Sequence, residues 1–262
     1  MINSNILKNK VALVTGGSNG IGAATVKMLA EAGANVIIGY NKGKDRASKL
    51  VESLPVNDHS ISQIKLENTD CGKLLSNKIQ KMYGKLDILI NSAGFTKPIP
   101  HKDLDKLDEK LFDEILIANT RGPYSIIKES INLLQKADDE AVVVNVSSIS
   151  AFTGSGSNIA YCAAKAAVDT MTMSFARVFG PKIRFLCVSP AAVDTGFVEG
   201  RDRANLERLA LNTPIQRVVE PKDVALAIIG CITHLKTSTG IRIIVDGGRH
   251  LWSIYSLHTF KD

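Results

Sequence analysis

The sequence predicts an α/β fold: a single doubly wound parallel sheet of about seven strands with helices on both faces. Three observations carry this. Short β-branched runs alternate with longer stretches of helical period along nearly the whole chain. Two of the runs, Val142-Val143-Val144 and Ile88-Leu89-Ile90, are continuously apolar, as strands covered on both faces are. Strand and helix in strict alternation, joined by right-handed crossovers, pair in parallel.

In chain order, the first strand is expected over residues 11–14, followed by a glycine-rich loop and a helix over 21–32. A second strand, 35–40, runs into a basic loop holding Lys42, Lys44 and Arg46. A third strand, 61–66, leads to a helix over 73–83, with Asp70 as its expected N-cap. The fourth strand, 86–91, precedes a helix over 104–117, part of a long helical stretch expected to reach residue 136. The fifth strand, 141–147, is followed by a helix over 160–179, the sixth covers 183–190 and the seventh 242–245. Between the last two, residues 193–221 form an unusually long connection with a helical pattern near 203–211, which reads as a substrate lid. No linker, repeat or low-complexity tract breaks the pattern, so residues 1–262 are expected to form one domain.

Composition narrows the function. Lys and Arg number 32 and Asp and Glu 26, a formal charge of +6, but the basic residues are scattered and make no nucleic-acid stripe. The apolar runs are too short to span a bilayer, and the first ten residues lack the apolar core of a secretory signal. Cys71, Cys162, Cys187 and Cys231 are widely spaced with no Cys-x-x-Cys pair, which suggests reduced thiols in the cytoplasm. The five histidines have no ligand spacing, so no metal is expected.

After the first strand comes Thr15-Gly16-Gly17-Ser18-Asn19-Gly20-Ile21-Gly22 and then a helix. Glycines there permit a tight turn, a close approach of backbone to a pyrophosphate, and close helix-on-strand packing. The free N–H groups of the helix start favour the anion. Tyr161 and Lys165, four residues apart on a helix, share one face. A neighbouring ammonium favours the phenolate, so the pair suits acid–base work on a carbonyl/alcohol couple. Ser148 lies at the C-terminal end of a central strand, where its hydroxyl can donate to a substrate oxygen. Ser147 is the rival for that role but should point to the other side of the strand.

These elements, with Asn91-Ser92-Ala93-Gly94, Asn119, Asn145-Val146-Ser147-Ser148, Ser189-Pro190-Ala191-Ala192-Val193-Asp194-Thr195 and Val245-Asp246-Gly247-Gly248, resemble the short-chain dehydrogenase/reductase family. The resemblance runs in order from about residue 10 to 248 and is of the Tyr-x-x-x-Lys type, similar to 3-oxoacyl-acyl-carrier-protein reductases. It implies a Rossmann-like sheet and a homotetramer or, alternatively, a dimer. It implies catalysis by Asn119, Ser148, Tyr161 and Lys165: Tyr161 protonates the oxygen, Lys165 also holds the nicotinamide ribose, and Asn119 holds a relay water. It implies cofactor contacts from Gly16, Ser18, Asn19, Gly20, Ile21 and Gly22, from Asn91, Ala93 and Gly94, and from Pro190, Val193 and Thr195. Beside the adenosine it implies Tyr40, Asn41, Lys42, Glu67 and Asn68.

Tyr40 stands where relatives that prefer NAD carry Asp, and Lys42, Lys44 and Arg46 can meet a phosphate, so NADP(H) is expected over NAD(H). Against it, Asn19 stands where many NADP-using relatives are basic. Two departures from the family pattern are Ala191 for the glycine after Pro190 and Ser92 for a second Asn. The expected activity is interconversion of a ketone and a secondary alcohol. The substrate is a 3-oxoacyl thioester or, alternatively, a small ketone, sugar or biosynthetic intermediate. The acidic Asp138-Asp139-Glu140 weighs against docking an acidic carrier protein. A non-catalytic NADP(H)-binding regulator is the rival of another class, but such proteins lose part of the Ser, Tyr, Lys set kept here. In the lid, Phe197 and Val198 are expected to approach the ligand, and Arg201, Arg203 and Arg208 either to form a solvated face or, alternatively, to select an acidic substrate.

Overall fold

Strands β1 (Val11–Thr15), β2 (Asn35–Tyr40), β3 (Ser60–Gln63), β4 (Ile88–Asn91), β5 (Ala141–Val146), β6 (Ile183–Pro190) and β7 (Arg242–Val245) form one sheet. Its order is β3-β2-β1-β4-β5-β6-β7, every pair parallel. This computed structural model describes residues 5–251; the remaining ends of the expected 1–262 domain lie outside the described residues. Strand order reverses between β1 and β4, which opens a crevice at their C-terminal ends.

Successive side chains leave opposite faces of each strand, so each strand feeds two cores. Ala12, Val14, Ile38, Ile90, Val144 and Val188 pack under α1 (Gly20–Glu31), which lies on this face with a helix near the C-terminus, Pro221–Thr233. Val11, Leu13, Ile37, Leu89, Val143 and Phe185 face the opposite layer. After α2 (Lys44–Glu52), that layer holds α3 (Cys71–Tyr83), α5 (Gly122–Leu134) beyond α4 (Glu109–Leu116), and, past the short α6 (Ser150–Thr153), the long α7 (Ile159–Phe179). α8 (Arg203–Leu211), within the long connection after β6, and α9 (Pro221–Thr233) complete the order.

Four sequence expectations need correction. β3 stops at Gln63 rather than 66, because its partner β2 ends at Tyr40, the residue paired with Gln63. The long helix expected over 104–136 is broken into a 3-10 turn at Leu104–Lys106, α4, a π-turn at Ile117–Arg121, and α5. Asp108 starts α4 afresh by accepting from the Leu111 N–H. Pro123 has no N–H to give the preceding turn, and the Asn119 side chain takes the Ile115 carbonyl that a regular helix would bond through its backbone. Asp70 occupies the N-cap position of α3 but its side chain makes no cap bond; its N–H is held instead by Asn68 Oδ1 at 2.9 Å. The basic loop expected after β2 is also largely helical, since α2 begins at Lys44.

Candidate active site

One cleft of about 1330 Å³ runs along the C-terminal ends of β1, β4, β5 and β6. Its floor is the loop from β1 into α1. Gly16 has φ +65°, and a Cβ there would fall 2.9 Å from Ala93 Cα, so the β1 and β4 loops touch backbone to backbone. Thr15 Oγ1 reinforces this by accepting from the N–H groups of Ser92 and Ala93, both at 3.1 Å. Asn19 occupies the N-cap of α1 without a side-chain cap bond, and the first turn carries no acid. The N–H groups at this helix start are thus left for an anion in the cleft. Gly16, Ser18, Asn19, Gly20 and Ile21 line the cleft. Gly22 lies behind it, packed so closely that a Cβ would fall 2.3 Å from the Gly16 carbonyl oxygen.

At one end the wall is Tyr40, Asn41, Lys42, Gly43 and Arg46, with Ile64, Leu66 and Glu67 opposite. The Arg46 guanidinium folds back over Gly43, where a Cβ would be 2.5 Å from its Nη2 and 2.9 Å from Ser18 Oγ. The first-turn arginine of α2 therefore lies beside the phosphate loop. No acid stands at the end of β2. Glu67 lines the cleft and its carbonyl accepts from Arg121 Nη2 at 2.9 Å, whereas Asn68 turns away and is spent on Asp70.

At the other end, Ser148 follows β5, and α7 presents Tyr161 and Lys165 to the same cleft. Ser148 Oγ donates to Ser150 Oγ at 3.1 Å, while Ser147 Oγ turns to the Lys165 carbonyl at 3.4 Å, so the two serines diverge as expected. Lys165 Nζ donates to the Val146 carbonyl at 2.8 Å. Burial pulls the Lys165 pKa down to about 8, against the upward pull of Cys187 and Asp169. Burial pushes the Tyr161 phenol up, while Ser148 and Arg201 pull it down. Lys165 is not among the groups that lower it, contrary to the sequence expectation, because its charge is itself disfavoured by burial and directed at a backbone carbonyl.

Asn119 and Asn91 are buried beside the cleft rather than in its wall. Asn119 Nδ2 donates to the carbonyls of Phe95 at 2.6 Å and Ile115 at 2.8 Å. Asn91 Nδ2 donates to Asn145 Oδ1 at 2.9 Å, and Asn145 Nδ2 to Thr172 Oγ1 at 2.8 Å, tying the sheet to α7. Ala93, Gly94, Pro190, Val193 and Thr195 all line the cleft. Sequence reasoning missed Asn158. It caps α7 by accepting from the Tyr161 N–H at 2.7 Å and donates to the Lys97 carbonyl at 2.8 Å, fixing where Tyr161 enters the cleft. An Asn just ahead of a helical pattern was the available signal. Also missed were Phe152, Arg249 and His250.

The connection after β6 crosses this end. Phe197 and Val198 line the cleft, and the Phe197 ring stands 6.0 Å from that of Tyr161. Arg203 and Arg208 are exposed, as expected for a solvated face, but Arg201 is half-buried in the cleft wall. An anion cradle between a cationic end and a half-buried Tyr161 beside buried Lys165 fits an elongated dinucleotide with two phosphate-bearing parts.

A family model described as short chain dehydrogenase matches residues 10–205. The 3-oxoacyl-acyl-carrier-protein reductase of Chlamydia muridarum is 32% identical over 255 residues, spanning 94% of this chain and 99% of its own. A 3alpha-hydroxysteroid dehydrogenase of Mediterraneibacter gnavus is 31% identical over 247 residues, 92% of this chain and 97% of its own. Among solved structures, a short chain dehydrogenase from Burkholderia cenocepacia in complex with NADP superposes with a TM-score of 0.85 at 29% identity, covering 94% of this chain and 99% of that one. The chain belongs to the short chain dehydrogenase family. It is an oxidoreductase, and the ketone–alcohol interconversion read from its sequence is in keeping with that family. Among the described residues no helix is long and apolar enough to cross a membrane.

Proposed function

We propose that the protein reduces a ketone to a secondary alcohol with NADPH in preference to NADH. The observation that carries this is one continuous cleft joining the bare start of α1 to Ser148, Tyr161 and Lys165. When bound, the nicotinamide supplies the hydride. Ser148 donates a hydrogen bond to the carbonyl oxygen and so stabilises charge that develops there. Tyr161 Oη gives its proton to the same oxygen, and burial that keeps the phenol protonated suits it to the role of acid. Lys165, held by the Val146 carbonyl, would also hold the nicotinamide ribose, and Asn119 supports the segment behind it. Lys42 and Arg46 receive the 2′-phosphate in the absence of an acid at Tyr40.

One domain carries both the cofactor site and the chemistry, residues 193–221 close over it as a substrate lid, and the protein works as a cytoplasmic homotetramer. Exposed Leu104, Tyr124, Ile159, Met173 and Val178 on and around α5 and α7 supply an apolar surface for that assembly. The complete Ser, Tyr, Lys set favours turnover over a regulator that only binds nucleotide. A 3-oxoacyl thioester and a small ketone both fit this chemistry. Asp138 and Asp139 are engaged by Lys85 and Lys10, which leaves that corner without free basic charge for an acidic carrier protein.

Loss of reduced-nicotinamide absorbance across a ketone panel that includes acetoacetyl thioesters tests the activity. Oxidation of NADPH ahead of NADH is expected. Cofactor binding with no turnover of any ketone or alcohol would overturn the catalytic reading.

A further inference from the structure

Most arginines around the cleft are committed. Arg203 pairs with Asp194, Glu207 and Glu220. Arg242 pairs with Asp169 and packs over the Phe152 ring. Arg208 donates to Asn205, and Arg121 to the Glu67 carbonyl. Arg201 and Arg249 differ. Both are half-buried in the cleft wall, yet among the described residues no hydrogen bond or ion pair holds either guanidinium.

The acid nearest Arg249 is already spent. Asp246 Oδ1 accepts from the Gly248 N–H at 2.8 Å, and Oδ2 accepts from the His250 N–H and faces its Nδ1, both at 2.7 Å. The carboxylates lining the cleft are Glu67, at the Tyr40 end, and Glu114 on α4, and neither pairs with these arginines. Burying a guanidinium without a counter-charge is costly, and a second cation beside it adds repulsion. Burial, then repulsion from Arg249, disfavours the charge on Arg201; burial does so on Arg249, which the shared Asp246 carboxylate only partly offsets. Such a pair is stable in a cleft that receives an anion.

Position says which anion. Arg201 follows Phe197 on the lid, and the field of its charge reaches the Tyr161 phenol. Arg249 comes from the opposite side, beyond β7, next to His250, whose ring stands 6.0 Å from Phe152. Both therefore converge on the substrate end, away from Lys42 and Arg46. We propose that the substrate ketone carries an anionic group, a carboxylate or a phosphoryl group, gripped by Arg201 and Arg249 so that its carbonyl meets Ser148 and Tyr161. This rests on the reductase reading above. Planar guanidinium forks suit either oxyanion, and apolar Phe152 and Phe197 flank a short carbon chain between the anion and the carbonyl. A neutral oxoacyl thioester would leave Arg201 without a counter-charge and Arg249 with only the shared Asp246.

The test compares acetoacetate, its methyl ester, an acetoacetyl pantetheine thioester and dihydroxyacetone phosphate, with the full chain and saturating NADPH. Acetoacetate or the phosphate should exceed the ester and thioester in kcat/KM, and which of the two leads identifies the anion. In Arg249→Gln and Arg201→Gln the preference for the anion over the ester should fall about 10- to 100-fold, the range for a lost charged hydrogen bond. Arg249→Lys should restore part of it. Equal use of anion and ester by the unmodified protein, or a preference unchanged in both Gln variants, would overturn the proposal. If no ketone is turned over, the reductase reading fails, and binding decides this inference alone. Acetoacetate or inorganic phosphate should then raise the melting temperature of the unmodified protein and not of the Arg201→Gln, Arg249→Gln double variant. The same rise in both would overturn it.

Discussion

Lys165 Nζ stands 5.5 Å from the centre of the Tyr161 ring while donating to the Val146 carbonyl at 2.8 Å. The ammonium is thus aimed by the sheet, through the last residue of β5, rather than by the tyrosine. Both groups are deeply set, and burial moves each toward its neutral form: the lysine pKa falls to about 8 and the phenol rises.

Lys165 therefore couples stability to pH. Its ordinary pKa is 10.5 and its folded value about 8, so between those limits the unfolded chain binds the extra proton. The folded state pays for a buried charge below about pH 8 and is relieved as pH rises towards 10.5. Raised thiol and phenol pKa values act in the opposite sense above about pH 9, so a comparison is needed. The stability of the unmodified protein relative to Lys165→Met should increase from about pH 8 to 10 in urea titrations. A gap that does not change with pH would show that the lysine is not destabilised as a cation.

Tyr161→Phe removes the proton donor and its hydrogen bond with Ser148 but leaves the N–H that Asn158 caps. Turnover should drop by about two to four orders of magnitude, with nucleotide affinity retained. Single-turnover rates with NADPH and nucleotide titration by fluorescence separate the two effects. Near-normal turnover would move the acid role elsewhere.

Tyr40→Asp places a carboxylate beside Lys42 and Arg46 at the end of β2. It should repel a 2′-phosphate and accept hydrogen bonds from an unphosphorylated ribose. The ratio of kcat/KM for NADPH over NADH should fall by tenfold or more, about 1.4 kcal/mol. An unchanged ratio would place the phosphate contact outside this corner.

Asn158→Ala removes the cap that holds the Tyr161 N–H and strands the Lys97 carbonyl. About 1 kcal/mol of stability should be lost, measured by denaturant titration. Asn158→Asp keeps the acceptor for Tyr161 but not the donor to Lys97, so it should recover part of kcat in preference to KM. Equal kinetics for the two variants would make Asn158 a purely structural cap.

The sheet and the loop chemistry were legible because they depend on local patterns: apolar triplets for buried strands, glycine spacing for the turn into α1, and a four-residue step joining Tyr161 to Lys165. The break in the 104–136 helix was not, because it depends on one side chain, that of Asn119, choosing the Ile115 carbonyl. Asp70 failed as a cap for a similar reason: Asn68 reached the same turn first. That burial, and not Lys165, dominates the Tyr161 phenol was not legible because sequence shows adjacency and not burial. Arg249 and His250 were missed because only the folded chain brings the turn after β7 to the mouth of the cleft.

The segment over Tyr161 has a closed neck. Val193 bridges to Val219, and Arg203 reaches both Asp194 and Glu220, the latter also capping α9. The Val193–Val219 bridge thus holds its two ends side by side, with Arg203 of α8 as a clamp from within, and the entropy of closing the loop is borne there. Doubling the length of a flexible loop between fixed ends costs only about 0.6 kcal/mol. The segment is in that sense an exchangeable cassette. Insertions and replacements between the two ends can re-cut the substrate mouth while the sheet, the nucleotide cradle and the Tyr–Lys pair stay as they are, which makes substrate range the most evolvable property of this scaffold.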